Sequence, residues 1–199
     1  VNASAAKNGA LFLDRDGVIN VDKGYVYRPQ DFEFVDGVFR VVGRASELGL
    51  STVVVTNQAG IARGFYSESD FESLTRWMFQ RFYAEGAPLT AVYHCPYHAE
   101  GLGQWRVADH PDRKPNPGML KRALRDFSLD AGRSLLVGDQ ESDIVAARRA
   151  ELRAAALFAP SSPPPTTLAN AVLRDHGETI RWLDEVSLTS AADRDGCPQ

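Results

Sequence analysis

Two aspartates, Asp14 and Asp16, flank Arg15 directly after the apolar run Ala10-Leu11-Phe12-Leu13. That run reads as a buried strand. The acids therefore sit at its end, where Gly17 lets the chain turn sharply. While the backbone stays extended, alternation sends Asp14 and Asp16 to one side and Arg15 to the other. Such a carboxylate pair can hold a hard cation such as Mg²⁺ through oxygen. It can also divide the labour between a nucleophile and a general acid/base. Taken alone, the same residues would make an ordinary polar turn, because Asp and Gly are common there. Three later segments shift the balance towards chemistry.

The first segment is Thr52-Val53-Val54-Val55-Thr56-Asn57-Gln58, a β-branched strand ending in hydroxyl and amide groups. Thr56 can donate its hydroxyl to a phosphate oxygen, and the turn after it can offer backbone N–H groups. In Arg113-Lys114-Pro115-Asn116-Pro117-Gly118, two cations precede a rigid turn, and Pro117 suits the first turn of a helix. Lys114 can neutralise a phosphate as a compact point charge. The third segment, Leu135-Leu136-Val137-Gly138-Asp139-Gln140-Glu141-Ser142-Asp143, is another apolar strand ending in Gly-Asp. Asp139 could complete a metal site with Asp14, and Asp143, one helical turn later, could hold the surrounding loop. Each segment also has a plain structural reading: a capped strand, a solvated lysine, an N-capped helix.

The elements that must position these groups follow from pattern. Strands are expected over 10–14, 51–56, 91–94, 134–137 and 154–158, and helices over 37–48, 68–85, 117–126 and 142–150. Asp36 and Ser67 sit where N-caps belong. Phe71, Leu74, Met78 and Phe82 recur at helical spacing, a stripe that reads as core packing. Alternating strands and helices predict an α/β fold with a doubly wound parallel sheet. Ligands of such sheets gather at the carboxyl ends of the strands, so Asp14, Thr56 and Asp139 should converge there, with Lys114 arriving on a helix N-terminus. Residues 1–9 form an N-terminal extension, 10–188 a single domain, and 189–199 a tail expected to be disordered. Within the domain, 160–167 is a stiff Pro-rich loop, and 179–188 adds a last strand or short helix.

Bulk properties set outer limits. The chain has 199 residues, 44% hydrophobic and 24% charged, the balance of a globular domain. At that length a domain buries roughly 70% of its unfolded surface and needs no staples. The net charge of −4 provides no basic field for nucleic acid. The two cysteines, Cys95 and Cys197, do not suggest a disulfide framework. No apolar leader core opens the sequence, and no run reaches membrane-spanning length. A monomer in the reducing cytoplasm is the expectation, with a small phosphorylated sugar as partner, no nucleic acid and no membrane.

The ordered set of acid pair, Thr, Lys and acid resembles the four motifs of the haloacid dehalogenase superfamily, most of whose members are Mg²⁺-dependent phosphatases. The likeness extends to Phe12-Leu13-Asp14-Arg15-Asp16-Gly17-Val18-Ile19-Asn20 and Val21-Asp22-Lys23-Gly24-Tyr25. It continues in Val54-Val55-Thr56-Asn57-Gln58-Ala59-Gly60-Ile61-Ala62-Arg63-Gly64 and in Arg113-Lys114-Pro115-Asn116-Pro117-Gly118-Met119. These stretches resemble the D-glycero-D-manno-heptose 1,7-bisphosphate 7-phosphatases, whose nearest kin are histidinol-phosphate phosphatases. The resemblance runs from about Ala10 to Phe158. Superfamily members often insert a cap domain after the first or second motif, and neither interval here has room for one. Substrate choice would then fall to the loops 18–30, 58–65 and 95–112.

The resemblance implies Asp14 as nucleophile, Asp16 as general acid/base, and Thr56 and Lys114 on the transferring phosphoryl group. It implies Mg²⁺ on the carboxylates of Asp14 and Asp139 and on the backbone carbonyl of Asp16. Arg15, Asp22, Lys23, Gly24, Tyr25, Asn57, Gln58, Ala59, Arg63, Arg113 and Gln140 are the expected substrate contacts, with Tyr27 also on the rim. Two departures stand out. Gln140 occupies a place where the heptose enzymes commonly carry Lys, so a substrate-facing charge is missing. The family often holds a structural Zn²⁺ with Cys-x-His and Cys-x-Cys, whereas this chain has Tyr97 in the His place and His110 and Asp112 where the later cysteines would be. Cys95, His98, His110 and Asp112 could still form a mixed tetrahedral zinc site. The leading expectation is a phosphatase acting on heptose 1,7-bisphosphate at the 7-phosphate, with histidinol-phosphate phosphatase as alternative. A receiver-like phospho-module or a non-catalytic sugar-phosphate binder represents another class. The acidic balance disfavours a nucleic-acid 3′-phosphatase.

Overall fold

The computed structural model describes residues 8–161 and 165–195. In it the apolar runs form parallel strands: β1 (Ala10–Leu13), β2 (Ser51–Asn57), β3 (Ala91–Cys95), β4 (Leu135–Gly138), β5 (Ala154–Phe158) and β6 (Ala171–Leu173). They lie in the order β3-β2-β1-β4-β5-β6, every pairing parallel. The first strand is therefore central, and its carboxyl end is flanked by those of β2 and β4. Connections wind outward from it in both directions, which is the expected doubly wound α/β arrangement.

Period-two alternation separates two cores, one on each face of the sheet. Leu11 and Leu13 of β1, Val54 of β2, Leu135 and Val137 of β4, and Ala156 and Phe158 of β5 share one core. Phe12, Val53, Val55, Leu136 and Leu157 point into the other. The first face is covered by α1 (Val38–Glu47), α3 (Glu68–Ala84) and α6 (His176–Asp195), and the second by α4 (Gly118–Asp126) and α5 (Glu141–Arg149). Because both faces are covered, the strands can be apolar throughout. The stripe Phe71, Leu74, Met78 and Phe82 of α3 is buried, as its spacing requires. Ser67 and Asp70 form a reciprocal capping box at its start.

The boundaries depart from expectation where turns intervene. The cap of α1 is Gly37, at φ +85°, rather than Asp36. The turn after β2 contains a short helix, α2 (Ala59–Ala62), where only a loop was expected. Beyond the Pro-rich stretch, of which 162–164 lie outside the described residues, β6 adds an edge strand. The final helix α6 then continues into the segment assigned to the tail, as far as Asp195. Residues 1–7 of the extension and 196–199 lie outside the described residues. Among the described residues, the intervals after β1 and β2 contain only the elements named and short 3₁₀ turns, with no inserted cap.

Candidate active site

The end of β1 continues its ladder for one more residue, the Asp14 N–H donating to the Val137 carbonyl at 3.0 Å. This fixes the Asp14 carboxylate beside the end of β4. Lys114 arrives from the turn before α4, and its ammonium lies 2.9 Å from Asp14 Oδ1 and 2.5 Å from Asp143 Oδ1. It also donates to the Val55 carbonyl at 2.9 Å. Asp14, Asp139 and Asp143 each offer a carboxylate oxygen within 4.8 Å of the others. Two glycines make this crowding sterically feasible. A Cβ on Gly17 would overlap Asp139 Oδ2, and one on Gly138 would overlap the Asp143 side chain. Gly17 is also at φ +85°, a conformation that L side chains rarely adopt.

Three carboxylates thus cluster beside one ammonium, which pairs with two of them, Asp14 and Asp143. Burial pushes the Asp14 carboxyl up from 3.8 to about 8; Lys114 opposes the shift, and Asp143 and Asp139 reinforce it. Burial also raises Asp139, to about 6, against the hydrogen bond from Gln140. Burial works against the charge on Lys114, but Asp14 and Asp143 outweigh it and push its pKa up. The excess of buried hard oxygen over positive charge suits a divalent cation of the Mg²⁺ type, which would hold these acids ionised.

Asp16 is kept apart from this cluster. Alternation does not carry past Leu13, because the chain turns at once: Val18, Ile19 and Asn20 all direct their N–H groups at the Arg15 carbonyl. Arg15, 2% exposed, therefore folds inward and donates to Asp16 at 2.8 Å and to the Val26 carbonyl at 2.8 Å. Asn20 Nδ2 donates to Asp16 Oδ1 and Gln58 Nε2 to Asp16 Oδ2, each at 3.0 Å. Gln58 Nε2 also donates to Thr56 Oγ1 at 2.8 Å, while its carbonyl accepts from the Tyr66 hydroxyl.

Several expected substrate contacts thus face inward. Arg15 and Gln58 are buried supports of Asp16. The Asn57 side chain is spent on the Lys114 backbone, donating to its carbonyl at 3.0 Å and accepting from its N–H at 3.1 Å. Ala59 opens α2 and accepts the Arg63 N–H. On the rim, Asp22 closes a turn on the Gly24 N–H, and Lys23 pairs with Glu33 at 2.8 Å in the open. Arg63 donates to the Tyr25 hydroxyl at 2.6 Å and to Glu100 at 2.8 Å, and it lies 3.4 Å from His98 Nε2. It thereby ties together the three expected specificity loops. Arg113 donates to the Tyr97 carbonyl at 3.0 Å. Gln140 donates to Asp139 Oδ2 at 3.0 Å, next to a cavity of about 520 Å³ walled by Phe158 and Pro160.

The expected zinc site does not assemble. Cys95 Sγ lies 3.9 Å from His110 Nδ1, but that nitrogen accepts the Asp112 N–H. The Asp112 carboxylate accepts from Arg122 at 2.7 Å, and His98 Nδ1 accepts the Glu100 N–H. Tyr97 stacks on His110 at 4.0 Å, so direct packing joins parts of the loop where a metal was one candidate. Among the described residues, the acid trio is the group of metal-ligating side chains that comes together.

Sequence reasoning gave Asp143 only a loop role and passed over Asn20 and Tyr66. Asn20 had a usable signal, lying four residues after Asp16 in the tight turn made possible by Gly17. Tyr66 had none, since its reach to Gln58 depends on how α2 folds back.

Comparison with known proteins agrees with this geometry. The HAD-hydrolase-like family pattern matches residues 112–158. The D-glycero-α-D-manno-heptose-1,7-bisphosphate 7-phosphatase of Burkholderia mallei is 51% identical over 179 residues, covering 89% of this chain and 94% of its own. The D-glycero-β-D-manno-heptose-1,7-bisphosphate 7-phosphatase of Vibrio cholerae is 47% identical over 142 residues, 71% and 76% of the two chains. The structure of D,D-heptose 1,7-bisphosphate phosphatase from B. bronchiseptica, complexed with magnesium and phosphate, superimposes with a TM-score of 0.74 at 26% identity, covering 89% of this chain and 98% of that one.

The acid cluster predicts a linkage between metal and pH. Asp14 and Asp139 bind protons more tightly folded than unfolded, so metal-free stability should fall as pH rises from about 4 through about 8. A divalent cation removes that penalty by favouring the ionised acids. The Mg²⁺-induced rise in Tm should therefore be larger at pH 8 than at pH 5, by differential scanning fluorimetry. Equal rises at both pH values would refute the linkage.

Proposed function

We propose a reaction for this chain on the premise of its family: it belongs to the heptose-1,7-bisphosphate 7-phosphatase family of HAD-like hydrolases, and it is a phosphatase. The substrate is D-glycero-D-manno-heptose 1,7-bisphosphate, hydrolysed at the 7-phosphate. The observation that carries the reading is the Asp14 carboxylate, held 2.9 Å from a buried ammonium inside a trio of acids at the central strand end. This is where a phosphoryl group can be received by a carboxylate with its charge met by a cation.

The Asp14 carboxylate attacks phosphorus in line, and the bond from phosphorus to the sugar oxygen breaks, leaving an aspartyl-phosphate. Asp16, whose oxygens accept from Arg15, Asn20 and Gln58 in the substrate-free geometry, must turn from these donors and act in its protonated form, giving that proton to the departing sugar oxygen. The resulting carboxylate then takes a proton from the water that attacks the intermediate, releasing phosphate and restoring Asp14. Lys114 lies against Asp14 and meets the charge of the phosphoryl oxygens. Thr56 Oγ1 accepts from Gln58, so its own O–H is free to donate towards phosphate. Asp14, Asp139 and Asp143, with the Asp16 carbonyl, are the groups that would hold Mg²⁺, which supplies charge neutralisation at the phosphoryl oxygens when bound.

The second phosphate of the substrate meets the rim. Arg63 is half-exposed and paired with the exposed Glu100, so an incoming phosphate can displace that carboxylate. Gln140 offers an amide rather than an ammonium at the edge of the acid cluster. The free, buried Cys95 suits a reducing cytoplasm, and no helix among the described residues is long and apolar enough to cross a membrane.

Variants, metal removal and a substrate comparison test the proposal. Asp14→Asn should abolish phosphate release while the fold survives, and Asp16→Asn should lose roughly 10²–10⁴-fold in kcat. Chelation should stop wild-type turnover and Mg²⁺ restore it; near-normal turnover by a folded Asp14→Asn protein would sink the mechanism. For the substrate, kcat/KM should be higher for heptose 1,7-bisphosphate than for histidinol phosphate at the same Mg²⁺. Gln140→Lys should change KM more than kcat, the mark of binding remote from the reacting phosphorus. A clear preference for histidinol phosphate would overturn the substrate while leaving the chemistry in place.

A further inference from the structure

The turn that carries Asp16 and Gly17 is supported from the far end of the chain. Its carbonyls are met in different ways. Arg15 O accepts from within the turn, Ile19 O accepts the Val35 N–H at 2.9 Å, and Asn20 O accepts the Gly17 N–H at 2.8 Å. Val18 O instead lies 2.9 Å from His176 Nε2. A carbonyl oxygen can only accept, so Nε2 must carry the ring proton. The other nitrogen, Nδ1, faces Thr179 Oγ1 at 3.3 Å. His176 is 1% exposed and opens α6, whose Trp182 and Leu183 are buried in the first core. Arg44 of α1 donates to Asp184 of α6 at 2.7 Å. The ring stacks on Phe158 with centroids 4.6 Å apart, and a Cβ on Gly37 would come within 3.0 Å of His176 Cβ. The imidazole is thus wedged between the catalytic turn, the end of β5 and the start of α1, with one N–H aimed at one backbone oxygen.

We infer that His176 is a positioning residue for the phosphatase reaction, fixing the turn 16–20 through the Val18 carbonyl. The inference rests on the phosphatase reading and adds a residue outside the four motifs. Gly17 of that turn packs against the Asp139 carboxylate. Moving Val18 therefore moves the wall of the acid cluster and the Asp16 backbone together. The effect should appear in kcat and in cation affinity, because both depend on that wall, and much less in KM, because the rim loops are held elsewhere by Arg63.

The test compares His176→Phe, which keeps the ring against Phe158 but has no N–H, with His176→Gln, whose amide N–H can occupy the place of Nε2. Hydrolysis of p-nitrophenyl phosphate and heptose 1,7-bisphosphate gives kcat and KM, and calorimetry with Mg²⁺ alone gives a Kd that needs no turnover. His176→Phe should lose about 10–100-fold in kcat, the scale of an ångström-level misplacement, with KM within about threefold and a weaker Mg²⁺ Kd. His176→Gln should recover most of both. Should His176→Phe not fold, His176→Asn replaces it; its amide is one methylene shorter and falls short of Val18, so the same losses are expected. The inference is overturned if the folded N–H-deficient variant retains both kcat and Mg²⁺ affinity within about twofold of wild type. It is equally overturned if His176→Gln is as impaired as that variant. A wild type inactive on both substrates would count against the phosphatase reading alone, since the Mg²⁺ affinities of the variants would still decide the role of His176.

Discussion

A single buried ammonium organises the site. Lys114 is 4% exposed, and a charge that deep is tolerable only when paired and hydrogen-bonded. Asp14, Asp143 and the Val55 carbonyl supply that pairing from three segments far apart in the chain. The cost of breaking such an arrangement, about 3–5 kcal/mol for a buried ion left without its partner, explains why so much of the neighbourhood serves it. Asn57 spends both ends of its amide on the Lys114 backbone. Gly138 gives up its side chain so that Asp143 can approach. The ammonium does not satisfy all three acids, and the remaining negative charge is what a divalent cation would meet.

That arrangement is possible because the sheet places β1 between β2 and β4. Their parallel carboxyl ends bring Asp14, Thr56 and Asp139 to one place without any long-range loop closure beyond the crossovers themselves. The rim is built on a different principle. Arg63 bridges Tyr25, Glu100 and His98, all on loops, and those exposed contacts are individually weak. A rigid centre with an exchangeable rim separates the groups placed for phosphoryl chemistry from those free to adjust around the rest of a substrate. It also gives the departure at Gln140 a physical meaning: an amide bonded to Asp139 orients that acid, whereas an ammonium there would add charge.

Much of this was legible because period two and the Gly-Asp strand ends report backbone geometry directly. The apolar runs of β1 and β4 were correctly read as buried strands, and the spacing in α3 correctly described a buried face. The alternation argument failed one residue past the strand. Arg15 was sent away from Asp16, but the turn closed on the Arg15 carbonyl and folded the guanidinium back onto the acid. The zinc reading, one of two left open for the Cys95 loop, finds no support for a related reason: ligand types were read at roughly the right spacing, yet Asp112 is claimed by Arg122 and His110 stacks on Tyr97. Spacing along a loop says little about which partner a side chain will find. His176 was illegible because its value lies in a contact across 158 residues, which no local pattern encodes.

The two aspartates that first drew notice end in unlike surroundings, and this separation is what lets neighbouring carboxylates take different tasks. Asp14 lies among other acids and one ammonium, where a bound divalent cation would favour the ionised form that the proposed reaction needs. Asp16 is held by two carboxamides and a guanidinium, which fix its orientation rather than crowd it with like charge. Gln58 joins the two environments, since the same Nε2 reaches Asp16 and Thr56, and its carbonyl is locked by Tyr66. A side chain fixed at both ends cannot rotate without losing a buried partner. The separation of the Asp16 carboxylate and the Thr56 hydroxyl is therefore set by the fold; in the proposed reaction that part of the orientation need not be supplied by the substrate's own binding energy.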